Sequence, residues 1–141
     1  MDFILLKILF LWFSLLLPGV KIGKYVLCGS SLKEREKPEL IMWLVFLLLL
    51  PTYMHFPLVG TILMLAFLLL WMIAQWFFTL RYIFFPNEQK IKGYNAFFAN
   101  SHYLIKPSDK RLVPDTYHTV LFILIFVCII TTAINFIGIL I

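Results

Sequence analysis

The sequence predicts an all-α integral membrane protein of four transmembrane helices in a small bundle, and three observations carry that expectation. The 141-residue chain is 62% hydrophobic and only 13% charged, far from the soluble average of about half apolar and a quarter charged. Its apolar residues are gathered into uncharged runs, Ile8 to Val20, Leu40 to Leu80 and Thr116 to Ile141. Its basic residues fall almost wholly between those runs. A soluble globular protein is excluded, and an aromatic content of 18% excludes a disordered tail. The few long runs leave room for a single membrane domain, residues 1–141.

Taken in order, the first run sits behind a charged start and predicts a span over about residues 2–20. A signal peptide is weighed against it: Pro18 and Gly19 fit superficially. However, Asp2 precedes any basic residue, no small-x-small motif follows, and Tyr25, Val26 and Leu27 lack the small residue that precedes a lipoprotein cysteine. An uncleaved span is the reading. The middle run, Leu40 to Leu80, has 41 residues, about 62 Å as helix and twice the roughly 30 Å hydrocarbon layer. It must fold back once. Pro51 and Pro57 bracket the natural break, because each removes a backbone donor and disfavours continuing the helix. Spans over about 38–53 and 57–80 follow, the former short enough that a re-entrant segment is the alternative. The last run predicts a span over about 117–141.

Four spans put the loops over about 21–37 and 81–116 on one side, and eleven of the twelve basic residues lie there, with only Lys7 left for the other side. The positive-inside rule then makes both loops cytoplasmic and places both termini and the His55 hairpin on the non-cytoplasmic side. Trp43, Trp76, Phe77, Phe78, Tyr82 and Tyr117 stand at the expected interfaces. A plasma or inner membrane is the expected location. The net charge of +5 is read as attraction to headgroups, with no nucleic acid among the expected partners.

Polar residues within spans are few. Cys128, Thr131, Thr132, Asn135 and Gly138 are spaced by three and four along one face of the last span, which should look inward and allow close helix approach. Gln75 falls in line with Met64, Leu68, Trp71, Phe78 and Tyr82, and its amide is expected to meet Asn135 or a partner protein. In the second loop, Tyr94, Phe97, Phe98 and Tyr103 carry more apolar area than a free linker exposes. Flanked by Lys90, Lys92 and Lys106, they are expected to lie on the headgroups or against a partner.

Acid–base chemistry has to come from His102, Asp109, Asp115 and His118. Asp115 and His118 stand three apart at a helix start, where Asp115 could orient the imidazole, although a helix N-cap is the plainer reading of Asp115. No metal-ligand spacing and no cofactor motif are present. Cys28 and Cys128 are too far apart in sequence to suggest a disulfide framework, and Cys28 is weighed as a juxtamembrane acyl acceptor. Ser31, Leu32, Lys33 and Glu34 match a capping box.

The function expected from this pattern is association without catalysis, as a subunit of a membrane complex or as an inhibitor or immunity-type protein acting on another membrane protein. Another membrane protein or a second copy, and the bilayer, are the expected partners. The alternative is an enzyme acting on a lipid or lipid-linked substrate at the cytoplasmic interface, with His102, Asp115 and His118 converging in an open pocket. Association predicts that these three are dispersed. A third reading, an oligomeric small transporter, requires Gln75 and Asn135 to line a continuous wet path.

Overall fold

The structure, a computed structural model, describes residues 2–28 and 37–141. It is mostly helical: α1 (Asp2–Ser14), a hairpin of β1 (Val20–Ile22) and β2 (Tyr25–Cys28), α2 (Lys37–His55), α3 (Pro57–Gln75), α4 (Arg81–Phe84), α5 (Glu88–Phe97) and α6 (Thr116–Leu140). A π-helical segment, Trp76–Leu80, joins α3 to α4 without a break. Three helices are long and apolar enough to cross a membrane: Pro38–His55, Pro57–Phe84 and Thr116–Leu140.

The first expected span is shorter than its apolar run. Helix α1 stops at Ser14, whose hydroxyl turns back to the Phe10 carbonyl at 2.7 Å, a local bond that competes with helix continuation. Tighter i to i+3 bonds carry the chain to Leu17, after which Pro18 and the left-handed Gly19 (φ 72°) redirect it. Thirteen helical residues rise about 20 Å, less than the hydrocarbon layer.

The segment expected to be a plain loop from residue 21 instead pairs β1 with β2 antiparallel, Ile22 opposite Tyr25 across a two-residue turn with Gly23 at φ 60°. Glycine at the first turn position between β-branched and aromatic residues is a hairpin signal. The capping box at Ser31 lies outside the described residues.

Pro51 does not end its helix: α2 runs four residues past it to His55, and the reversal is made at Phe56 alone before Pro57 opens α3. Proline at the first helical position costs no hydrogen bond, whereas Pro51 only forgoes its own. Helix α2 thereby reaches 19 residues, longer than the expected span over 38–53. Gly60 makes the tight reversal possible. Its N–H reaches the Phe56 carbonyl at 2.6 Å, and a Cβ there would run into the Tyr53 Cα and lie 2.5 Å from the Thr52 carbonyl oxygen.

Helix α3 packs on α2 and α6, and α1 packs on α2 and α6. Leu6, Leu9 and Phe13 of α1 meet Phe46 of α2, Met64, Leu68 and Trp71 of α3, and Tyr117, Leu121, Ile125 and Cys128 of α6 in one buried cluster. The spacing by three and four within α1, α3 and α6 is that of one helix face. Aromatic rings fill the centre: Phe13 and Trp71 stand 4.6 Å apart, and Phe46 meets Phe10 edge-on at 5.4 Å. In lipid this packing gains dispersion contacts rather than a hydrophobic driving force, so fit matters more than apolar area.

At the Tyr117 end of the helices lies a cap. Helix α5 is started by Asn87, whose side chain accepts from the Lys90 N–H at 3.1 Å. Its Ile91 joins Tyr82 and Leu112 in a second small core. The chain from Asn100 to His102 runs beside β2, with Val26 and Ser101 forming a parallel bridge.

Candidate functional site

The cap and helices meet at the start of α6. Asp115 occupies the N-cap position but its side chain caps no backbone N–H, so the N-cap expectation is corrected. Its carboxylate, 1% exposed, instead accepts from His118 Nδ1 at 2.5 Å and from the Tyr94 hydroxyl at 2.9 Å. The Asp115 N–H in turn donates to the Tyr94 oxygen at 3.2 Å. A carboxylate buried this deeply needs such partners. With Pro114 before it and an extended backbone, Asp115 satisfies the imidazole rather than the helix.

His102 is held next to this group. Its Nδ1 lies 2.7 Å from the Thr116 hydroxyl, its carbonyl accepts from Thr116 N–H at 2.8 Å, and its N–H donates to Val26 at 3.1 Å. The dispersion that association predicts for His102, Asp115 and His118 is therefore not found. Among the described residues, no described cavity is lined by all three. His102 borders a cavity with Tyr25, Phe98 and Tyr103 that neither Asp115 nor His118 lines. The His118 ring lies against Phe98, Tyr117 and Phe122, with a quarter of its side chain exposed. Asp109 is exposed and outside this cluster.

Electrostatics follow from the burial. Desolvation, then the charge of Asp115, pushes the Tyr94 phenol far above its ordinary value, and the same two causes push Tyr103 up to about 12. An unfolded phenol ionises first as pH rises, so the stability that protonated Tyr94 contributes is complete below about pH 10 and falls above it. The cap is expected to loosen in that alkaline range, and Tyr94→Phe is expected to flatten the dependence; amide hydrogen exchange of α5 checks it. Burial likewise raises the Cys28 thiol, which lies 3.3 Å from the Leu15 carbonyl. A buried, protonated thiol is a poor acyl acceptor.

The aromatic loop residues divide. Tyr94 and Phe98 turn inward, 4.4 Å apart, so part of the area expected to cover headgroups covers the chain itself. Phe97 remains 70% exposed, and Lys90, Lys92 and Lys106 are exposed, Lys92 paired to Glu88 at 2.6 Å. Such an exposed pair contributes little to stability.

At the opposite end, a chain of side-chain bonds joins three helices. The Asn135 amide donates to the Tyr53 hydroxyl at 2.7 Å, and that hydroxyl donates to the Asp2 carboxylate. The expected contact between Gln75 and Asn135 is replaced by this one. Thr61 stands beside Tyr53, and Gln75 lies fourteen residues further along α3, about 21 Å away along the axis. Gln75 and Asn135 therefore lie towards opposite ends of the apolar layer. Cys128 is buried, and Thr131 bonds back to the Val127 carbonyl at 3.1 Å. Gly138 is exposed with open space around it, so the close approach expected there does not occur.

Among the described residues no group of three His, Cys, Asp or Glu gathers as metal ligands. Sequence reasoning missed Asp2, Tyr53, Gly60 and the role of Tyr94. The four-span order puts Asp2, Tyr53 and Asn135 at one end, which was the available signal for the first pair.

The chain is thus a mostly helical membrane protein with three apolar helices of membrane length and a small cap. Comparison with family models, curated proteins and solved structures gave no match.

Proposed function

We propose that the chain is a non-catalytic membrane protein that works by association, as a subunit of a membrane complex or as an inhibitor or immunity-type protein against another membrane protein. The observation that carries this is the outer face of α2. Only 11% of its spanning window is buried within the chain, and Ile41, Leu44, Val45 and Leu48 are exposed in a stripe spaced by three and four. A ridge of that spacing suits the groove of another helix.

The proposed topology keeps four crossings with both termini on the non-cytoplasmic side, in a plasma or inner membrane. Support comes from the ends of α1. Asp2 reaches Tyr53, while Trp12 Nε1 donates to the Tyr117 carbonyl at 3.2 Å and Trp43 Nε1 to Ser14 Oγ at 2.8 Å. Helix α1 thus runs alongside α2 and α6 for most of their length, and the basic cap faces the cytoplasm.

A photoreactive side chain replacing Leu48 in native membranes is expected to give a discrete protein adduct, read by gel shift and mass spectrometry, whereas one at Ile123 on α6 gives lipid adducts. Lipid adducts alone at both positions would sink the association reading.

A second reading, an enzyme acting on a lipid or lipid-linked substrate, is favoured by one observation. Asp115 holds Nδ1 of His118, which leaves Nε2 as the atom free to exchange a proton.

A further inference from the structure

We propose that the cavity walled by Tyr25, Asn95, Phe98, His102, Tyr103 and Lys106 binds the headgroup of an anionic phospholipid, one carrying a phosphodiester and a free hydroxyl. The cavity is an open cleft of about 410 Å³, within the range of small-molecule sites. No carboxylate lines it, and Lys106 supplies a cation. Two of its residues carry buried polar atoms with no partner among the described residues. The Asn95 amide nitrogen donates to the Ser108 carbonyl at 3.1 Å but its Oδ1 is unpaired, and so is the Tyr103 hydroxyl. Leaving such atoms unmet is costly, and a ligand that pairs them regains that cost.

The occupant follows from depth and chemistry. His102 is pinned to Thr116, the first residue of the 25-residue apolar α6, so the cavity lies where hydrocarbon gives way to headgroups. Leu104 and Ile105, exposed by 62% and 69% between His102 and Lys106, offer apolar contact beside it. A phosphate suits the Lys106 ammonium and the Tyr103 donor, and a headgroup hydroxyl supplies the donor that Asn95 Oδ1 lacks. Choline has no such donor.

The test is native mass spectrometry of the full chain released from nanodiscs of equal phosphatidylglycerol and phosphatidylcholine, counting retained lipid. Wild type is expected to retain phosphatidylglycerol about tenfold over phosphatidylcholine. Lys106→Glu should abolish that preference, and Tyr103→Phe should reduce it about threefold. Neither variant removes a hydrogen bond or ion pair described in the fold, so in phosphatidylcholine alone each should unfold no lower than wild type, and Tyr103→Phe, which deletes an unpaired buried hydroxyl, at an equal or higher temperature. Equal retention of the two lipids, or a preference unchanged in both variants, overturns the proposal. Glycerol 3-phosphate at millimolar concentration is expected to leave the lipid bound; binding of that ester without any lipid preference would assign the site to a free phosphate ester and overturn the lipid assignment.

Discussion

Gly60→Ala is expected to destabilise the protein by about 2 kcal/mol or more, despite the roughly 1 kcal/mol that alanine gains over glycine within a helix. The added methyl meets the Tyr53 Cα and the Thr52 carbonyl, which are backbone atoms with no rotamer to move into. The α2–α3 reversal must therefore open, and Tyr53, whose hydroxyl joins Asn135 to Asp2, moves with it. Gly138→Ala is the control, because nothing stands within 4 Å of the Cβ it adds. Thermal unfolding followed by tryptophan fluorescence in nanodiscs should show a lower midpoint for Gly60→Ala and an equal or higher one for Gly138→Ala. Equal midpoints for Gly60→Ala and wild type would mean that the two helices do not approach as described.

Asp115→Ala carries the other large expected effect, about 3 kcal/mol, because two donors packed around a buried carboxylate lose their acceptor at once. It strips His118 Nδ1 and the Tyr94 hydroxyl of their common acceptor. Asp115→Asn keeps an oxygen in place and should cost less. The loss should be local before it is global: protease cleavage between residues 86 and 115 is expected to accelerate in Asp115→Ala while α3 and α6 stay protected. Unchanged cleavage would show that the cap is held by the Tyr82, Ile91 and Leu112 contacts alone. The same variants bear on chemistry at His118. An enzyme would lose its reaction in His118→Gln, whereas a protein that acts by association would keep its partner.

Three helices long and apolar enough to cross a membrane were legible because an uncharged run of twenty residues has few alternatives, and their starts near residues 38, 57 and 117 agree with α2, α3 and α6. What was not legible has physical causes. The two prolines predict a break between Pro51 and Pro57, yet the helix continues through Pro51 to His55, because one missing hydrogen bond is outweighed when the helix on both sides is held by packing. Apolar run length does not measure helix length, so Ser14 and Gly19 ended α1 inside an apolar stretch. At the site, the residue types were readable and the geometry was only half so. Asp115 and His118 were paired by spacing, but Tyr94 reaches Asp115 from 21 residues away, and no local pattern reports a contact of that kind. Gln75 and Asn135 were joined by kind rather than by depth, although the order of the spans already separated them.

The attachment of α1 has a consequence for how the chain is made. Its hydrogen bonds to Tyr117 and its packing on Leu121, Ile125 and Cys128 span more than a hundred residues of sequence. A ribosome that has delivered α1, α2 and α3 has not yet supplied the groove in which α1 rests. Helix α1 therefore waits, short and half-docked against α2, until α6 has entered the bilayer. Its final seating follows the delivery of α6, and any failure to insert α6 leaves α1 without half of its groove.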